Sequence, residues 1–208
     1  MPRAFADISF TDSVRAAQTR YGSRAHMAGF ERASDPRNTL READIAFIST
    51  RDSFYQATVS ENGWPYVQHR GGPAGFLRVL DARTIGYADF RGNAQYLSVG
   101  NLNADERVSL ILMDYAGQRR LKLWGLARIV HAEDAPEVMA QLALPNYPAA
   151  VERGVLIHIE AIEWNCPQHI TPRFTEAELK PMLAPLLDEL QQLRAQVASL
   201  QASQESKP

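Results

Sequence analysis

Cysteine is nearly absent: Cys166 is the only one in 208 residues. A single thiol excludes an internal disulfide and cannot by itself build a thiolate zinc site, so a reducing compartment suits the chain. Long apolar runs are missing too. No stretch approaches the roughly 20 apolar residues of a spanning helix, and Met1 to Phe10, interrupted by Asp7, lacks the apolar centre of a signal peptide. A soluble, cytoplasmic protein is the expectation. Neither sign of charge prevails, with 22 Lys and Arg against 24 Asp and Glu. No overall field then draws the protein to nucleic acid or to an anionic membrane, and any bound anion must be recognised locally. No His-x-x-x-His or Cys-x-x-Cys spacing occurs, and no metal site is expected.

What is present is enough for a sizeable core, since 45% of the residues are hydrophobic. Thr11-Asp12-Ser13 offer N-cap residues ahead of Val14, Ala17 and Gln18 at helical spacing, which predicts a short helix ending at Gly22. Ser23 to Asn38 is polar, carries Gly29 and Pro36, and shows no period, so irregular covering structure is expected there. A further short helix is expected over Leu40 to Ile48. Beyond it, β-branched and aromatic residues come in short runs separated by turn residues. The runs are Phe54–Val59, Trp64–His69, Gly75–Leu80, Thr84–Asp89, Val108–Asp114, Arg120–Val130 and Val155–Trp164. Asn62-Gly63 between the first two is a strong hairpin signal, because both residues tolerate positive φ. The pattern predicts a mainly β protein with peripheral helices, a six- or seven-strand antiparallel barrel. Short helices through Gln95–Val99 and Asp134–Leu142 interrupt the meander and cover barrel edges. Three parts follow: a covering segment over 1–45, a barrel over 46–174 and a tail over 175–208.

The tail has no aromatic residue from Thr175 to Gln204. Leu179, Leu183, Leu186, Leu190, Leu193, Val197 and Leu200 alternate in steps of four and three, the seam of a coiled coil. Pro181 and Pro185 each remove a helical N–H, so continuous helix is expected from Pro185 onward. The tail either pairs with a second copy or lies on the barrel of its own chain.

Four stretches concentrate polar residues and glycine among the strands: Gln68-His69-Arg70-Gly71-Gly72-Pro73, Ala88-Asp89-Phe90-Arg91-Gly92-Asn93, Arg119-Arg120-Leu121-Lys122, and Trp164 through Arg173. Their order resembles the FMN-binding split-barrel family typified by pyridoxamine 5'-phosphate oxidase, over roughly residues 50 to 173. The resemblance implies an antiparallel split barrel and an FMN cofactor. It implies cofactor contacts from Gln68, His69, Arg70, Gly71, Tyr87, Ala88, Asp89, Asn93, Arg120, Lys122, Trp164, Gln168 and Arg173. It also implies a homodimer with composite flavin sites, in which Trp164 and Arg173 reach the flavin of the other subunit. The residues fit that chemistry: Arg70 with Arg120 or Lys122 supplies guanidinium and ammonium donors for a phosphate, near a Gly-Gly turn with backbone N–H groups. Arg120 stands where the family has a glutamine facing the flavin pyrimidine, and a cation there stabilises negative charge on the reduced ring. The plainer readings are a solvated strand face for Arg119, Arg120 and Lys122, and a core aromatic for Trp164. His69 and His169 are either proton donors beside the flavin or wall residues. Cys166, before proline, is expected as a small buried hydrophobe.

The chain departs from the family pattern in two places. Asn93-Ala94 replace an Arg-Lys pair, and Gln168-His169-Ile170-Thr171 and Leu144–Pro148 stand where the oxidase holds its vitamin B6 substrate. No catalytic residue is named from the sequence, and oxidation of pyridoxamine 5'-phosphate is not expected. Two functions stand open: an oxidoreductase using NAD(P)H or a redox-protein partner, and a non-catalytic flavin or electron-relay module. A deazaflavin or haem ligand is a third alternative.

Overall fold

The computed structural model describes residues 3–32 and 35–205. Residues 33 and 34 of the covering segment and the last three of the tail lie outside the described residues. Two compact units divide the chain. The first holds the residues up to Asp114 and Arg119–Gln168, the second Tyr115–Gln118 and the residues from His169 onward.

The first unit is an antiparallel split barrel. Its strands are β1 (Ser53–Val59), β2 (Pro65–Gly71), β3 (Arg78–Asp81), β4 (Thr84–Phe90), β5 (Arg107–Asp114), β6 (Arg119–Val130) and β7 (Val151–Trp164). They hydrogen-bond in the order β2-β1-β5-β6-β7-β4-β3. In β5 and β6 buried residues alternate with more exposed ones, the signature of a strand with one face on the core. Leu110, Leu112, Leu121, Leu123, Ile157 and Ile162 fill the interior with Phe54, Phe76 and Tyr87. The hairpin between β1 and β2 turns where expected, with Gly63 at φ 84° and the Asn62 side-chain carbonyl accepting from the Trp64 N–H at 3.3 Å. A register shift separates Trp124 and Gly125 on β6. A Cβ on Gly125 would stand 2.4 Å from the His158 carbonyl oxygen, so only glycine lets β7 approach there.

Helices α1 (Ala4–Ser9), α2 (Asp12–Arg20), α3 (Arg24–Glu31), α4 (Glu42–Ser49), α5 (Leu97–Ala104) and α6 (Pro136–Leu142) complete this unit. The Thr11 hydroxyl accepts from the Val14 N–H at 3.4 Å and caps α2 as its sequence predicts. The stretch expected to be irregular contains α3. Its helical form depends on partners distant in sequence, Phe30 against the Phe5 and Phe10 rings at 6.0 and 6.1 Å, with Arg24 bridging to Glu31 at 2.5 Å. No short-range period announces such contacts. β3 is shorter than the run that suggested it, α5 extends five residues past its expected end, and β7 begins at Val151 rather than Val155.

In the second unit, α7 runs unbroken over Glu176–Glu205 with Pro181 and Pro185 inside it. The expected start at Pro185 is therefore corrected to Glu176. A reciprocal cap fixes that start: the Thr175 hydroxyl accepts from the Glu178 N–H at 3.2 Å, and the Glu178 carboxylate accepts from the Thr175 N–H at 2.8 Å.

Candidate functional site

Arg70 lies on the first strand of the sheet order and Asp89 on the sixth. Five strand spacings in a flat sheet would hold them about 24 Å apart. Instead the Arg70 guanidinium donates to Asp89 Oδ1 at 2.6 Å, because the sheet curls until β2 and β4 face one another across the split. Arg153, at the start of β7, donates to the other oxygen of Asp89 at 3.0 Å. Asp89 thus sits buried between two guanidinium groups. Beneath it, the Tyr87 hydroxyl donates to the Gln56 side chain at 2.8 Å, and burial pushes the Tyr87 phenol far above its ordinary pKa. Tyr87 is a neutral donor at any physiological pH.

Above this network lies a polar cavity of about 270 Å³, floored by Tyr66, Gln68 and Arg70 of β2 and Asp89 of β4, and walled by the segment from Gly92 to Val99. That segment is unusual: Ala94 and Tyr96 are both left-handed, at φ 60° and 52°. The Asn93 side-chain oxygen Oδ1 accepts from the Gln95 N–H at 3.2 Å and fixes the turn. Left-handed residues interleaved with ordinary ones turn successive backbone N–H groups toward one side, the arrangement that receives anions. The Arg70 Nε is buried without a hydrogen-bond partner among the described residues. The site combines a guanidinium held by Asp89, a segment with two left-handed residues and polar side chains, and suits a phosphorylated organic molecule.

Of the residues expected to contact a cofactor, Gln68, Arg70, Asp89 and Asn93 line this cavity, while Tyr87 lies beneath it and Ala88 is buried on β4. Others lie elsewhere. Gly71 ends β2, and the neighbouring Gly72 spends its N–H on the Asp52 carbonyl at 2.9 Å, with the Phe76 ring where a Cβ would be. The Gly-Gly turn therefore packs β2 against Phe76. His69 projects from the opposite face of β2, its ring edge-on to Tyr55 at 5.4 Å. Arg120 and Lys122 project outward from β6, and Lys122 lies 5.3 Å from both the Phe5 and Trp124 rings. Burial there holds the Lys122 ammonium below its ordinary pKa, opposed by Glu163, and burial raises the Glu163 carboxyl. Trp164 packs in the first unit, its indole N–H donating to Asp44 Oδ1 at 2.7 Å and its ring edge-on to Phe47 at 4.7 Å. Gln168 is exposed, and so is Cys166, which corrects the expectation that the thiol is buried. In the second unit, His169 is left-handed at φ 65°, and the Arg173 guanidinium lies over the Tyr115 ring at 4.9 Å.

Three contributors escaped sequence reading. Arg153 falls before the apolar run that announced β7, Ser98 is buried in the cavity wall, and Tyr96 stacks under the Arg153 guanidinium at 5.1 Å. Only Ser98 and Tyr96 carried a signal, their place in the segment following Asn93.

The family described as pyridoxamine 5'-phosphate oxidase matches residues 40–165, more than half of the chain and all seven strands of the barrel. The chain belongs to the pyridoxamine 5'-phosphate oxidase family. Solved structures similar to this family member include HupZ of Group A Streptococcus, with 18% identity and TM-score 0.47 over 65% of this chain and 99% of that one. A Clostridium acetobutylicum protein related to general stress protein 26 shows 16% identity and TM-score 0.44 over 64% of this chain and 92% of the other. An FMN-binding protein from Syntrophomonas wolfei shows 14% identity and TM-score 0.46 over 74% and 96%. No curated protein matches the chain. Among the described residues, no helix is long and apolar enough to cross a membrane.

Proposed function

We propose that this family member is an FMN-binding flavoprotein and a cytoplasmic oxidoreductase whose substrate is not pyridoxamine 5'-phosphate. The observation that carries the reading is the cavity at the split, where Arg70, with an unpaired buried Nε, faces a left-handed backbone segment. A phosphate fits this donor set, and the polar Gln68 and Tyr66 side chains fit a hydroxylated chain beyond it. Bound there, FMN would supply hydride or single-electron transfer through its ring nitrogen N5.

The chain's own residues divide the work. Arg70 and the 92–96 backbone hold the anion, while Asp89 and Arg153 keep the Arg70 guanidinium aimed. Arg120 and His69 lie on the outward face of the sheet, opposite the cavity floor. One copy cannot bring both sets to one ligand, whereas a two-fold dimer can place the outward face of one copy beside the cavity of the other. Tyr55 and Val67 expose apolar surface on that outward face, 39% and 60% exposed, which such a contact would cover. In the composite site, Arg120 supplies a cation for charge developing on the pyrimidine edge.

The test is an absorbance spectrum of the purified protein, followed by titration with FMN. A yellow protein that binds FMN in a 1:1 ratio, and loses that binding in Arg70→Ala, supports the reading, and a colourless protein with no affinity for FMN sinks it. Stopped-flow addition of NADH or NADPH then separates an enzyme, which bleaches rapidly, from a relay module that needs a protein partner. Hydrogen peroxide formed from pyridoxamine 5'-phosphate and oxygen at enzyme-like turnover would overturn the substrate statement.

A further inference from the structure

The longest helix among the described residues carries a row of exposed leucines. Along α7 the side chains of Leu179, Leu183, Leu186, Leu190, Leu193 and Leu200 are 37 to 65% exposed. With Val197 they form one seam, which runs about 32 Å along the unbroken helix at 1.5 Å per residue. We propose that this seam is the contact with a second copy of the same chain, as a parallel, in-register, two-stranded coiled coil.

Three features of α7 favour that occupant. Spacing comes first: Leu179, Leu186, Leu193 and Leu200 take the d positions of successive heptads, and Leu183, Leu190 and Val197 the a positions. The back of the helix is the second. Pro181 and Pro185 fall at outer positions f and c, joined there by Ala184, Asp188, Gln191, Gln192 and Ala195. The prolines therefore cost backbone hydrogen bonds on the outer surface and leave the seam unbroken. Third, the flanking positions match only in the parallel arrangement, where a g residue meets the e residue five places on in the partner. Met182 then meets Leu187, Glu189 meets Arg194, and Gln196 meets Gln201. Apolar faces apolar, anion faces cation and amide faces amide. In a fully overlapped antiparallel pair, e residues face e residues, which sets Leu187 against the Arg194 cation.

Disulfide capture tests the proposal on the full-length chain, because Cys166 is the only native cysteine and is exposed. In a Cys166→Ser background, Leu193→Cys places a thiol at a d position, where a parallel in-register coil brings it against its own copy. Asp188→Cys places it on the outer surface as the control. Mild oxidation should link Leu193→Cys into dimers on a non-reducing gel at least about tenfold more than Asp188→Cys. Glu189→Arg should lower that yield several-fold, and adding Arg194→Glu should restore it. Equal linking at both positions, or none at Leu193→Cys, overturns the proposal, as does a charge exchange that fails to restore the yield. A circular dichroism spectrum showing unchanged helix content in each variant keeps misfolding from imitating these outcomes.

Discussion

The split of the barrel and the outer face of β6 each bring basic side chains beside a carboxylate, with different results. At the split, Asp89 is 5% exposed and receives Arg70 at 2.6 Å and Arg153 at 3.0 Å. Every charge has a partner in a dry place. On β6, Lys122 faces Glu163 across the β7 register, and burial drives both toward neutrality, the ammonium down and the carboxyl up. The contrast separates a buried carboxylate held by two guanidinium groups from two half-buried groups of opposite charge that burial shifts in opposite directions.

The comparison breaks most sharply at Asp89. Asp89→Asn leaves two buried guanidinium groups facing an amide that cannot neutralise them, so stability should fall by about 3–5 kcal/mol. Equilibrium urea unfolding measures this, and a loss below about 1 kcal/mol would mean that the network does not hold the split. Trp164→Phe should cost less, about 1.5–3 kcal/mol, because the ring still packs on Phe47 while Asp44 loses one charged hydrogen bond of several. If the same unfolding assay shows no loss, the 2.7 Å bond is not formed in solution.

Short runs of β-branched and aromatic residues parted by turn residues made the barrel legible in sequence. Leu110, Leu112, Leu121 and Leu123 sit where a period of two places them, and Asn62-Gly63 turns the first hairpin. Part of the cavity was legible as well, since Gln68, Arg70, Asp89 and Asn93 fall in stretches that concentrate polar residues and glycine among the strands. The pairing of Arg70 with Asp89 was not, because it depends on the sheet curling through five intervening strand contacts. Arg153 was hidden for a related reason: Val151-Glu152-Arg153-Gly154 is too polar to read as strand and becomes one by pairing with Ala88 to Phe90. Helix α3 stayed invisible because Phe30 is ordered by rings twenty and more residues away.

On the β6 side, removing the charge should do little. Lys122→Met keeps the stem against Phe5 and Trp124 and should shift stability by less than about 1 kcal/mol at neutral pH. The pH dependence sharpens the point. The folded ammonium loses its proton at lower pH than the unfolded one, so between those two values the unfolded chain binds more protons and stability rises with pH. Thermal melts across the window just below the ordinary lysine range should show this rise as a difference between the wild type and Lys122→Met. A steep fall in stability of the variant at pH 7 would instead make Lys122 a structural partner of Glu163.

The smallest effect belongs to a surface pair in which the Arg107 side chain is 74% exposed. Asp105 accepts from the Arg107 side chain and backbone, which holds its carboxyl at about 2. Its folded value lies below the unfolded one, so its contribution is complete above the ordinary carboxylate range near 4 and fades as pH falls through about 2. Solvent screens the pair, so Asp105→Asn should lower the melting temperature only slightly at pH 6, and the difference should shrink below pH 4. Added salt at pH 6 should shrink it as well. If salt leaves the difference untouched, what the carboxylate provides is the turn hydrogen bond to the Arg107 N–H, at 3.0 Å, rather than the ion pair. Either result fixes the lower end of the scale on which Asp89 stands at the top.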